Sequence, residues 1–128
     1  MAPHPRKKPK AERKRPEQHG EKCLHMHCAK WIADMHPRLL AFHVANERRG
    51  GIGTGQHFKR MGVRAGVADW LIFVPGRAIA IELKDEAGKL RPEQEAFERQ
   101  WTACGNVYVV ARTLEQFQGA VEAAALFA

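Results

Sequence analysis

Three residues carry the most legible chemistry in this chain of 128 residues: Asp69, Glu82 and Lys84. Glu82 and Lys84 lie in the run Ile79-Ala80-Ile81-Glu82-Leu83-Lys84. In a strand, alternate side chains share a face. Ile79, Ile81 and Leu83 therefore point one way, and Ala80, Glu82 and Lys84 the other. An acid and a base project together from an otherwise apolar strand. Upstream, Ala68 to Val74 is equally β-rich, and Pro75-Gly76 between the two runs signals a tight turn. Two such runs predict an antiparallel hairpin. A turn at that place pairs positions whose numbers sum to about 151, so Asp69 falls opposite Glu82. Facing Cβ atoms in such a pair are about 5 Å apart. Two carboxylates at that distance repel, and a shared divalent cation relieves the repulsion. Hard oxygen donors of this kind suit Mg²⁺ or Mn²⁺. Lys84 beside the metal would orient or activate a water and hold a scissile phosphate, as phosphodiester hydrolysis requires. Glu-x-Lys alone is a loose pattern that an exposed strand face also produces. The acid facing it across the turn gives it chemical content.

The elements that must position these residues read as follows. Leu24, Cys28, Trp31, Ile32 and Met35 recur at helical spacing before Pro37, which predicts a helix over about 20–36. Leu39 to Val44 reads as a strand. Residues 47–56 form a glycine-rich loop, after which Thr54 caps a short helix ending near Met61. Gly62 and Gly66 bracket a turn before the hairpin. Pro92 sits in the first turn of a helix running to about Cys104, where its missing N–H costs little, and Gly105 stops it. Asn106 to Ala111 is an apolar run that predicts a buried strand. Thr113 caps a last helix to about Phe127. The order α-β-α-β-β-α-β-α predicts an α/β fold, a mixed β-sheet flanked by helices.

The charge is unevenly placed. Of 21 basic and 14 acidic residues, seven basic side chains and two acidic ones (Glu12 and Glu17) lie in residues 1–17, a surplus of five. The remaining 14 basic and 12 acidic residues leave a surplus of two for residues 18–128. Pro3, Pro5, Pro9 and Pro16 deny the first segment a stable helix, and like charges repel. Residues 1–19 therefore read as a disordered basic arm, either a tether to phosphates or a solubilising tail, and residues 20–128 as one folded domain. A hydrophobic content of 45% argues against a wholly disordered chain. The basic start lacks a signal-peptide core and no apolar run spans a membrane. Cys23, Cys28 and Cys104 are odd in number and without framework spacing, which suits a cytoplasmic setting. A basic domain of this kind has nucleic acid as its default partner.

The stretches Gly62-Val63-Arg64-Ala65-Gly66-Val67-Ala68-Asp69, Ile81-Glu82-Leu83-Lys84, Leu90-Arg91-Pro92-Glu93-Gln94 and Gly105-Asn106-Val107-Tyr108-Val109-Val110 together resemble a VRR-NUC domain. This is the virus-type replication and repair nuclease branch of the PD-(D/E)xK superfamily. The resemblance runs over about 20–127. It implies a restriction-endonuclease-like core and an Mg²⁺- or Mn²⁺-dependent endodeoxyribonuclease. It implies metal ligation by Asp69, Glu82 and the backbone carbonyl of Leu83, and a catalytic Lys84. Gln94 matches the glutamine that would steady Lys84 or the water. Glu21 matches the acid on the first helix, with Glu17 as the alternative. Small stand-alone members are similar to homodimeric junction-resolving enzymes, which points to branched DNA such as four-way junctions, to a role in DNA repair, and to a virus-infected bacterial host. Cutting of flaps or plain duplex, or nucleic-acid binding without catalysis, stand as alternatives. The family commonly has proline before the aspartate. Ala68 stands there instead, which loosens the backbone without touching the chemistry.

Other signals point elsewhere. Cys23, His25, His27 and Cys28 invite a zinc reading, but no second ligand pair follows, and Cys28 fits a core position. His43 and His57 face either the substrate or bulk solvent. Arg48 and Arg49 before the glycine-rich loop, and Lys59, Arg60 and Arg64 after it, could grip a nucleic-acid backbone. Trp31, Trp70 and Trp101 fit the core, and Leu114, Phe117, Val121, Leu126 and Phe127 fit a core or an interface.

Overall fold

The computed structural model describes residues 20–45 and 52–128, with the side chains of Glu21, Ile52, Gly53 and Thr54 excepted. The expected basic arm, Arg48 and Arg49 lie outside the described residues. Eight elements follow in the expected order: α1 (Glu21–Met35), β1 (Leu40–His43), α2 (Ile52–Arg60), β2 (Trp70–Val74), β3 (Arg77–Leu83), α3 (Pro92–Ala103), β4 (Val107–Ala111) and α4 (Leu114–Ala125). The strands form one mixed sheet in the order β1-β2-β3-β4. The first two pairings are antiparallel and β3 pairs with β4 in parallel. The parallel step requires a crossover, which α3 supplies.

The β2–β3 hairpin has the expected register: Trp70 pairs with Ile81 and Val74 with Arg77. Gly76 takes a φ of +84°, which a side chain would strain. β3 is the spine of the fold, covered on both faces. Its odd-numbered residues Ile79, Ile81 and Leu83 join Trp70, Ile72 and Val74 in a core closed by Cys28 and Ile32 of α1 and by Phe117, Val121 and Ala124 of α4. Each large apolar side chain buried there contributes about 1.5–3 kcal/mol. On the other face Ala80 and Ala68 are small, so α3 lies close, and Phe97 packs there with Leu71, Trp101 and Tyr108. Thr113 caps α4 as expected, its hydroxyl accepting the Gln116 N–H at 3.1 Å.

Three expectations are corrected. β4 is an edge strand with Val107 exposed, because its apolar run packs on one neighbour only. α2 begins at Ile52, which puts Thr54 inside the helix and not at its cap. Of the core or interface expected for Leu126 and Phe127, the core does not hold: both are exposed, because α4 ends at Ala125 and leaves them beyond it. Phe127 lies instead under the Arg77 guanidinium, 4.1 Å from its ring centre. Trp70 is buried and Trp31 and Trp101 are half-buried, in line with packing roles.

Candidate active site

At the end of the hairpin farthest from its turn, both layers of helices leave a cleft of about 740 Å³. β2 has not yet begun at Asp69. The residue is held there by two strands: its carbonyl accepts the Val44 N–H at 2.7 Å, and its Oδ2 accepts the Leu83 N–H at 2.7 Å. Asp69 is thus clamped to β3 by its own carboxylate, one residue from the Glu82 position that the register predicts. Glu82 is only 2% exposed and Lys84 9%. The Lys84 Nζ lies 3.6 Å from Glu82 Oε1. Burying a carboxylate and an ammonium costs several kcal/mol per ion unless each finds partners. Such a pair adds little to stability and is retained where its charges are used.

α3 supplies the next part. Gln94 is 4% exposed, and its Nε2 donates to Glu82 Oε1 at 2.8 Å. Its Oε1 accepts the Arg91 N–H at 2.9 Å, so the carboxamide is fixed at both ends. The helix start is itself held against the Gly62–Gly66 turn. A Cβ on Gly66 would fall 2.3 Å from the Glu93 carbonyl oxygen, and Gly66 takes a φ of +85°. Glycine there lets the chain reach Asp69 while touching the first turn of α3. Beyond Lys84, the Arg112 guanidinium donates to the carbonyls of Asp85 at 2.7 Å and Gly88 at 2.6 Å, which ties down the turn that leaves the site.

Asp69, Glu82, Lys84 and Gln94, expected from sequence, therefore line one cleft. Leu83 meets Asp69 through its amide. Gln94 reaches Glu82, where the expectation had it beside Lys84 or a water. Glu21 opens α1, with its side chain outside the described residues. Lys59 and Arg60 are exposed at the end of α2. Arg64 hydrogen-bonds Gln100 of α3 and lies 5.6 Å over the Phe97 ring. Two residues outside the expected catalytic set also enter: His25 from α1 and His43 from β1, for which the sequence left substrate and solvent open, line the same cleft. The signal was their helical and strand phase. His25 stands one position after Leu24, at the edge of the buried stripe, and His43 pairs with Trp70, next to Asp69. The zinc reading fails on the same facts: Cys28 is fully buried in the core, where burial pushes its thiol up to about 12.

An open mixed sheet carrying an acid pair and a lysine at the end of a central hairpin, with helices on both faces, is the restriction-endonuclease-like α/β fold. Within it, the chain is similar to a solved structure described as "VRR_NUC domain protein", with a TM-score of 0.68 at 19% identity, covering 85% of this chain and 90% of that one. The fold is therefore that of a VRR-NUC domain. No family model and no curated protein matches the sequence. Among the described residues, no helix is long and apolar enough to cross a membrane.

Proposed function

We propose that the chain is a divalent-metal-dependent endonuclease that hydrolyses DNA phosphodiester bonds, selective for branched substrates such as four-way junctions. The observation that carries this reading is the buried Lys84, 3.6 Å from the buried Glu82 and in one cleft with Asp69. The donor set fits a metal: His25, His43 and Asp69 each present a ligand atom within 4.8 Å of the others, and the Glu82 carboxylate lines the same cleft. Asp69 and Glu82 would hold Mg²⁺ or Mn²⁺, with the Leu83 carbonyl and Glu21 as the further ligands that the VRR-NUC resemblance implies. A divalent ion bound there supplies Lewis acidity toward the phosphodiester and lowers the pKa of its water.

The chain's own residues do the rest. Lys84 holds a non-bridging phosphate oxygen or orients the attacking water, and its charge opposes the negative charge that develops there. Gln94 keeps Glu82 in one rotamer, and the Leu83 amide does the same for Asp69. Lys59, Arg60 and Arg64, with Arg48 and Arg49, contact the DNA backbone, and residues 1–17 add affinity that falls with salt. A homodimer fits a branched substrate, because a two-fold axis presents two sites to two strands. Its support here is the edge strand β1, whose exposed Leu40 and Phe42 adjoin the exposed Phe73. A cytoplasmic setting fits the free cysteines.

The test is incubation of the full chain with labelled four-way junction, flap and linear duplex, each with Mg²⁺, Mn²⁺ or EDTA. Metal-dependent cleavage, fastest on the junction, is expected. Binding of all three with no cleavage under any metal would leave a nucleic-acid binder in place of an enzyme.

A further inference from the structure

We propose that His25, His43 and Asp69 form a two-histidine, one-carboxylate site that selects a divalent transition-metal ion over Mg²⁺. The proposal deepens the nuclease reading, on which it rests for its setting, because Asp69 belongs to both ligand sets.

The three residues come from α1, β1 and the start of the central hairpin, and their ligand atoms lie within 4.8 Å of one another. His25 Nε2 is 3.8 Å from Asp69 Oδ1. The two imidazoles meet edge to face, with ring centres 5.0 Å apart and planes at 68°. The three side chains thus bring two imidazoles and one carboxylate to one place in the cleft.

The orientation of His43 is fixed by chemistry. Its Nδ1 lies 2.7 Å from the carbonyl oxygen of Asp69. A carbonyl oxygen can only accept, so Nδ1 must carry the proton. In the neutral ring the lone pair then sits on Nε2. A backbone carbonyl that fixes the tautomer and plane of an imidazole in this way is the usual support of a metal-ligating histidine. Asp69 is supported in the same manner, since the Leu83 amide holds Oδ2 and leaves Oδ1 on the His25 side. Two of the three donors are thus oriented by the backbone before any ion arrives. His43 is exposed and the other two are half-buried, so the site has an entry path from the cleft.

The donor types decide the ion. Mg²⁺ takes oxygen ligands and keeps its waters, and gains little from imidazole. Borderline ions such as Co²⁺, Fe²⁺ and Zn²⁺ accept two imidazoles and a carboxylate and leave positions open. The two histidines therefore turn a cleft that oxygen donors alone would leave to Mg²⁺ into one that prefers a transition ion.

The experiment titrates the metal-free full chain, with no DNA present, with Co²⁺ and with Mg²⁺ by calorimetry, and follows the Co²⁺ d–d absorption. One Co²⁺ per chain is expected at this site, bound about 100-fold tighter than Mg²⁺. His25→Gln and His43→Gln should each weaken Co²⁺ about tenfold or more and change the absorption band, while Mg²⁺ affinity stays near the parent value. The 14N modulation of bound Mn²⁺ in electron spin-echo spectra should show directly coordinated imidazole nitrogen and lose it in the double variant. Thermal melts establish that each variant is folded, and His43→Gln, at an exposed position, keeps the test open if His25→Gln does not fold. Co²⁺ bound with unchanged affinity and spectrum by the double variant, or Mg²⁺ bound as tightly as Co²⁺, would overturn the proposal. Because no DNA is present, loss of the metal selectivity and loss of nuclease activity are read separately.

Discussion

Gln94 donates from Nε2 to Glu82 Oε1 at 2.8 Å while its own Oε1 accepts the backbone N–H of Arg91 at 2.9 Å. One side chain thus ties the first turn of α3 to the buried acid of β3. The bond is between a neutral amide and a carboxylate that is 2% exposed, so it belongs to the stronger class of hydrogen bonds. Replacing Gln94 by Ala should cost about 1–3 kcal/mol of stability, measured from denaturant midpoints. Gln94→Glu should cost more, since an acceptor then faces an acceptor. If Gln94→Ala is neutral in stability and in cleavage, the clamp has no role.

Lys84→Met keeps most of the stem and removes the charge, while Asp69→Asn keeps an oxygen for the Leu83 amide. Each should lower single-turnover cleavage by about 10²–10³ or more, the scale of one lost transition-state contact. DNA binding, followed by anisotropy, should persist. Robust cleavage by either variant would mean that the site is misassigned.

Gly66 and Gly62 form a matched pair. Both have positive φ, +85° and +88°, but a Cβ meets Glu93 backbone atoms only at Gly66. Gly62→Ala should cost about 1–2 kcal/mol for its backbone conformation alone. Gly66→Ala pays that and must also push α3 away from Asp69. It should be the less stable of the two and lose cleavage as well. Equal melting temperatures would show that the contact gives way easily.

Tyr108 is the only tyrosine in the chain, so absorbance at the phenolate band reads it alone. Its hydroxyl is buried with no hydrogen-bond partner among the described residues. Burial, and then the charges of Glu82, Glu98 and Asp69, push its pKa well above the ordinary value of 10.0. The native chain should therefore show no phenolate signal at pH values where denatured chain is ionised. Tyr108→Phe removes an unsatisfied polar group and should leave stability unchanged or raise it by up to about 1 kcal/mol.

Cys28 makes a pH prediction with a definite sign. Its thiol rises from 9.0 to about 12 on burial. Above pH 9 the unfolded chain loses this proton while the folded chain keeps it, so stability present below pH 9 is lost as pH rises toward 12. The melting temperature of Cys28→Ala should fall less steeply than that of the parent over that range. A thiol reagent should label exposed Cys104 in the native chain and reach Cys28 only on unfolding.

Much of this molecule was legible in its sequence because its central signals are local. Strand phase separated Ile79, Ile81 and Leu83 from Ala80, Glu82 and Lys84. The Pro75-Gly76 turn fixed the register that puts Asp69 opposite Glu82, since a two-residue turn leaves one pairing open. Capping at Thr113 and the stop at Gly105 are equally local. What depended on distant partners was not legible. An apolar run at β4 reads the same whether one neighbour or two flank it, and the sheet order made it an edge. The role of Gln94 needed the crossover that brings α3 over Glu82. His25 and His43 are 18 positions apart in the chain and unremarkable in either element. They meet at Asp69 only because α1, packed against α4 and β3, brings His25 to the cleft that His43 and Asp69 also line. Sequence determined which side chains could do chemistry. Tertiary packing decided which backbone groups hold them still, and added two nitrogen donors to a site that sequence had furnished with oxygen alone.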